Sequence, residues 1–224
     1  AQYPKAAKEG GVCFADELQD FFSNSAREFL TDTKGGNLTY SPVNVYMALG
    51  MLAELTGGNS RQQILDALGS ESIETLRAQA SVVWNATYEN DIQDCILASS
   101  LWLDENVSFH QATMDRLADT YYASAYQGQM GSQSMNQAFQ DWLNDQTKDL
   151  LKAQIDQLEL SPDAVLALAT TIYFKAQWSD AFSETATEAD TFHGLSGDMT
   201  VDFMHQGDTD TYYWSERFGA VARN

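Results

Sequence analysis

The sequence predicts an α+β fold, and three observations carry that expectation. Helical periodicities fill the first part of the chain, two segments of about ten residues are apolar on both alternating faces, and short alternating segments accumulate only beyond Trp178. Helices first and strands late is the order of an α+β chain rather than of repeating βαβ units. The 224 residues are 44% apolar and 12% aromatic, enough to bury a sizeable core and to exclude general disorder. A formal charge of −20 repels phosphate backbones and anionic lipid, which argues against nucleic-acid and membrane partners. The longest apolar stretches fall far short of the ~20 residues that cross a bilayer. No repeat, low-complexity segment or linker marks a boundary, so residues 1–224 read as one domain.

The first element is an amphipathic helix over residues 14–30, with Phe14, Leu18, Phe21, Phe22, Phe29 and Leu30 at helical spacing. Gly35-Gly36 breaks it, and Asn37-Leu38-Thr39-Tyr40 reads as a short strand. Ser41-Pro42 then gives an N-cap with proline at the first helical position. The following helix, Val43 to Leu55, is apolar nearly all round, with Asn44 as the one strongly polar side chain of its interior. A helix of that kind is buried, so Asn44 needs hydrogen-bond partners.

Gly57-Gly58 ends that helix, and Ser60-Arg61-Gln62-Gln63 resembles a capping box for a short helix closing at Gly69. Ile73, Leu76, Ala80 and Val83 mark a helix through about Tyr88. Residues 95–103 suit a central, doubly covered strand. Ser108 with Gln111, and Ser134 with Gln137, form two more capping boxes, the latter opening a helix that carries Met135, Phe139, Trp142 and Leu150. Residues 165–174 read as a second central strand, interrupted by Thr170 and Thr171. Short alternating strands follow around Val201–His205 and Thr211–Trp214.

Motifs that carry chemistry are few. His110, His193 and His205 stand apart, outside any His-Glu-x-x-His pattern or Cys-x-x-Cys pair. There is no Gly-x-Ser-x-Gly elbow, Walker loop or Gly-x-Gly-x-x-Gly fingerprint. Asp208-Thr209-Asp210 reads as a solvated turn, since such a triplet is expected by chance among 32 acids. Cys13 and Cys95 are too few for a zinc site or a disulfide scaffold; pairing across the fold and two separate buried thiols both fit. Asn37-Leu38-Thr39, Asn85-Ala86-Thr87 and Asn106-Val107-Ser108 match the N-glycosylation pattern. No metal, cofactor or enzymatic activity is expected.

Several segments, in unbroken order, resemble the serpin family. Asn37-Leu38-Thr39-Tyr40-Ser41-Pro42-Val43-Asn44 and Gln62-Gln63-Ile64-Leu65 resemble its early segment, and residues 142–151 its helix across the main sheet. Ala169 to Trp178, with Phe182 and Phe192-His193, is similar to the strand and turn at the top of that sheet, and Met199 to Trp214 to the next strand pair. The resemblance implies a serpin-like fold, N-terminal helices packed on a large central β-sheet with a further smaller sheet.

It also implies a suicide inhibitor of serine or cysteine proteases. A protease cleaves an exposed reactive loop, which inserts as a new strand into the central sheet and carries the acyl-linked protease with it. The strand at 165–174 forms one side of the gap, and the helix at 134–151 lies across the sheet's face. The family's shutter maps to Ser41, Asn44 and Thr170, and its breach tryptophan to Trp178. Serine is usual where Asn44 stands, and asparagine where Thr170 stands. The exchange is expected to preserve a hydrogen bond between the buried helix and the strand.

The sequence stops near the family's barrel-like strands, so the reactive bond is not expected in this chain. Expected partners are then a target protease, with no nucleic acid or membrane, and the protein is expected to be a secreted or extracellular monomer. Heparin is not an expected partner, because the helix near 71–88 offers Glu71 and Glu74 against Arg77 alone. The alternative is a non-inhibitory serpin acting as chaperone, carrier or storage protein.

Overall fold

The computed structural model describes residues 15–31, 36, 38–85, 88–89, 94–178, 181–194, 196–205, 211–215 and 219–223. Cys13, Phe14, Gly35, Asn37, Ala86, Thr87 and Asp208–Asp210 lie outside the described residues. The chain forms two compact units, Ala1–Lys175 and Ala176–Asn224.

The first unit is built on a four-stranded sheet. Its helices α1 (Ala15–Leu30), α2 (Pro42–Leu55), α3 (Gly58–Leu68) and α4 (Ile73–Asn85) precede β1 (Tyr88–Glu89) and β2 (Asp94–Asp104). Then come α5 (Gln111–Tyr121), β3 (Ser124–Gly128), α6 (Gln133–Gln146), α7 (Lys152–Ile155) and β4 (Leu166–Lys175). One edge of β2 pairs antiparallel with β4 from Asp94↔Lys175 to Leu103↔Leu166. Its other edge is shared by β1, antiparallel at Tyr88↔Cys95, and β3, parallel from Ser100↔Ser124 to Asp104↔Gly128.

Strand alternation sorts the two faces. Leu97, Leu101, Leu103, Leu166 and Leu168 pack with buried residues of α1 to α5, among them Tyr46, Met51 and Leu76. Ala98, Trp102, Ala167 and Ala169 point the other way, onto Met135, Trp142 and Leu143 of α6 and Ile155 of α7. The period of two therefore places β2 between two helical layers, as its unbroken apolar run predicted. Residues 166–175 differ from the expectation of a second central strand. Among the described residues β4 pairs only with β2, and most of its side chains are half-buried or exposed.

Helix starts are corrected in three places. The first is α3, which opens at Gly58 with Gly57 as its N-cap, so Ser60 lies inside the helix. Arg61 donates to the carbonyls of Ala53 and Thr56 and thereby locks the start of α3 onto the end of α2. His110, not Ser108, is the N-cap of α5. The preceding turn is held instead by Asp104, whose Oδ1 accepts from Asn106 N–H, and by Gln127, whose amide donates to the Val107 carbonyl. Ser132 caps α6, accepting from Met135 N–H at 3.2 Å, where Ser134 was expected to.

That helix also stops early. Lys148 and Asp149 take left-handed backbone angles of 50° and 60°, which end the helix and leave Leu150 exposed rather than on the buried face. Residues 38–40 form no strand, contrary to the expectation. The helix expected through Tyr88 ends at Asn85, and Tyr88 belongs to β1. Gly69 does close α3, in the left-handed conformation that favours glycine.

The second unit holds a short 3-10 turn (Glu184–Ala186) and two antiparallel hairpins. β5 (Glu188–Gly194) pairs with β6 (Gly197–Phe203), and β7 (Thr211–Ser215) with β8 (Gly219–Arg223). The strand expected around Val201–His205 is thus β6, starting and ending earlier. β5 and β8 had no alternating pattern strong enough to be expected. No described helix is long and apolar enough to cross a membrane.

Candidate functional site

Ser41 takes extended backbone angles, and Pro42 supplies the φ of a first helical residue, so α2 begins where the local sequence dictates. The Ser41 hydroxyl accepts from Asn44 N–H at 3.4 Å and donates to Asn44 Oδ1 at 3.1 Å. This fixes the Asn44 carboxamide so that its Nδ2 faces β4. Nδ2 donates to the Thr170 carbonyl at 3.1 Å, and the Thr170 hydroxyl donates back to the Asn44 carbonyl at 3.2 Å. The three residues therefore meet, in a pattern different from a side-chain pair. Each side chain satisfies the other residue's backbone.

Alternation explains why Thr170 is available. Even-numbered β4 residues face α2 with Leu166 and Leu168, whereas Thr171 faces α6, where its hydroxyl has no hydrogen-bond partner among the described residues. Ser99 stands opposite Thr170 in the β2–β4 register. Its hydroxyl is buried and likewise without a hydrogen-bond partner among the described residues. Ser99 escaped the sequence reading because the apolar run hid it; only the register with Thr170 marks it as part of this polar layer.

Asn44 is half-buried, so the deepest polar group of α2 is another residue. Glu54 has a fully buried side chain, and its two oxygens accept from Arg77 Nε at 2.7 Å and Nη2 at 2.8 Å. Arg116 Nε lies 3.4 Å from Glu54 Oε2 without hydrogen-bond geometry. Hydrogen bonding to Glu54 raises the Arg77 pKa above its ordinary value, outweighing the opposing effect of desolvation. Beside this cluster Tyr121 is wholly buried, and burial, then the Glu54 charge, push its phenol upward. The spacing of α2 gave no sign of Glu54, because a terminal glutamate reads as an exposed helix end.

Further polar contacts fix α6 and the residues that follow it. Lys148 Nζ donates to Asp94 Oδ2 at 2.9 Å and sits 5.3 Å from the centroid of the Tyr173 ring. The buried Asn144 donates to Asp156, which also accepts from Lys152. In the second unit Trp178 is 72% exposed and meets Phe182 edge-on at 5.5 Å. His193 Nδ1 lies 2.9 Å from Asp198 Oδ1 across the β5–β6 hairpin. Among the described residues no three His, Cys, Asp or Glu side chains converge on a metal-sized site. Cys95 carries a free thiol, its pKa raised by burial.

Comparisons with known proteins agree on one family. Residues 16–222 match the family model described as serpin (serine protease inhibitor). Serpin-ZX of Arabidopsis thaliana is 25% identical over 189 residues, covering 81% of this chain and 48% of that protein. The solved structure of Arabidopsis AtSerpin1 in its native stressed conformation superposes with a TM-score of 0.74 at 23% identity, over 92% of this chain and 56% of the other. Thyroxine-binding globulin complexed with thyroxine-fluorescein reaches a TM-score of 0.79 at 19% identity, over 94% of this chain and 65% of the other. The chain spans about half the length of the curated relatives it matches.

Proposed function

Because the chain belongs to the serpin family, we propose that the protein is a suicide inhibitor of serine or cysteine proteases. In this reading the protease nucleophile attacks a peptide bond of a reactive loop, the amine product leaves, and the acyl bond to the enzyme persists. The freed loop adds to the outer edge of β4, and water is kept from completing hydrolysis. The observation that carries the reading is that edge. Over Leu166–Lys175 the strand is bonded to β2 along one edge, and its other edge is the one whose donors and acceptors an added strand would take.

Ser41, Asn44 and Thr170 take the shutter role, because their bonds tie the middle of β4 to α2. Trp178 takes the breach role. The stressed native conformation described for the Arabidopsis serpin is the state this reading assigns before cleavage. A secreted monomer that works without heparin belongs to the same reading, and the exposed Asn106 of Asn106-Val107-Ser108 offers an accessible glycan acceptor. The test mixes the full-length protein with serine and cysteine proteases and looks for a complex that survives denaturing electrophoresis. Such a complex is the expected result; cleavage without one would overturn the inhibitory reading. The second reading, a non-inhibitory carrier, is favoured by the likeness to thyroxine-binding globulin and predicts cleavage alone.

A further inference from the structure

A cavity of about 460 Å³ opens between the end of α2, the start of α5 and the adjoining ends of β2 and β4. That is the size range of sites for small organic ligands. Its apolar wall includes Leu103, Met114 and Leu166. Its polar wall is unusual in sign for a chain of formal charge −20. Among the described residues Glu54 is the only acid lining it, and both Glu54 oxygens are taken by Arg77. Against that one carboxylate the lining carries two guanidinium groups, Arg61 and Arg116.

Arg61 has no carboxylate partner among the described residues, and Arg116 has only the Glu54 carboxylate that Arg77 already holds. Arg61 donates to the carbonyls of Ala53 and Thr56, which are neutral acceptors. Arg116 donates to the Thr113 hydroxyl, and its Nε approaches only the Glu54 oxygen already bonded by Arg77. The first turn of α5 borders the same space, and its N-cap, His110, makes no side-chain cap. The helix dipole there adds positive potential. An apolar chamber with a surplus of fixed positive charge at one wall is complementary to a molecule with a carboxylate head and an apolar body.

We propose that this cavity binds an amphipathic monocarboxylate of the medium-chain fatty-acid class, its head on Arg116 and its chain against Leu103, Met114 and Leu166. The site lies outside the Asn44–Thr170 polar layer, and the proposal does not depend on protease inhibition.

The experiment titrates dodecanoate into the full-length protein by calorimetry, with dodecanoate methyl ester in parallel. The acid is expected to bind saturably, and the ester, which lacks the charge, roughly tenfold or more weakly. Arg116→Gln should weaken the acid by a similar factor while leaving the melting temperature close to that of the parent. Should that variant fail to fold, methyl-methionine NMR on the unaltered protein locates the site, since Met114 alone of the seven methionines lines it. A selective shift of Met114 is expected. Absence of saturable binding, equal affinity for acid and ester, an unaffected folded Arg116→Gln variant, or a shift of other methionines with Met114 unmoved would each overturn the proposal.

Discussion

Asn44 and Thr170, 126 residues apart in sequence, exchange two hydrogen bonds: the amide of one reaches the carbonyl of the other at 3.1 Å, and the hydroxyl returns at 3.2 Å. The pair is the polar tie between α2 and the strand whose outer edge the proposed insertion needs. Exchanging the side-chain types keeps a donor on each residue and a carbonyl opposite each. Asn44→Ser combined with Thr170→Asn should therefore unfold within about 1 kcal/mol of the parent. Asn44→Ala alone, which abandons a partly buried carbonyl, should cost about 1–3 kcal/mol. Thermal or denaturant unfolding of the three proteins measures both.

The Glu54–Arg77 pair predicts an order of effects. Arg77→Met leaves a wholly buried carboxylate with only the poorly oriented Arg116 and should cost about 3 kcal/mol or more. Glu54→Leu leaves Arg77 with a 28% exposed side chain that still reaches Glu74 at 3.6 Å, so it should cost less. The double variant should recover most of the loss of Arg77→Met. Urea midpoints check the order, and Glu54→Leu proving the more damaging would contradict it.

Gly50 and Tyr121 make opposite predictions at one contact. A Cβ on Gly50 would stand 2.7 Å from Tyr121 Cε1, inside a fully packed core. Gly50→Ala should destabilise by about 1–3 kcal/mol through overpacking. Tyr121→Phe removes a hydroxyl that is buried without a hydrogen-bond partner among the described residues, and should leave stability equal or higher. Melting temperatures distinguish the two directly.

Asp156 sets part of the acid response. Hydrogen bonds first from Lys152 and then from Asn144 hold its pKa below the ordinary aspartate value. As pH falls, the unfolded chain takes up this proton before the folded one. The contribution is therefore complete above the ordinary aspartate range and is lost as pH drops through the lower folded value. Asp156→Ala should lower the melting temperature at neutral pH, with the gap to the parent closing in acid. A gap that widened in acid would reverse the assignment.

Periodicity made the helices, β2 and the sorting of faces legible before any coordinates, because the signal sums over many residues. Ser41 and Pro42 were legible for the same local reason: capping needs only neighbours in sequence. Helix starts at Gly58, Gln111 and Gln133 were not, since Arg61, Gln127 and the competition of Ser132 with Ser134 decided them through contacts the capping pattern does not contain. The Asn44–Thr170 tie was anticipated through the family resemblance, but its side-chain-to-backbone form was not. Ser99 and Glu54 stayed hidden because their roles depend on strand register and on partners from other elements.

The claim that an added strand joins β4 is tested most directly by hydrogen exchange. Amides of Leu166–Lys175 that do not point at β2 are followed in the full-length protein before and after cleavage by a protease. These outer-edge amides should become strongly protected on cleavage, together with a rise in melting temperature. Exchange at those amides unchanged by cleavage would contradict it.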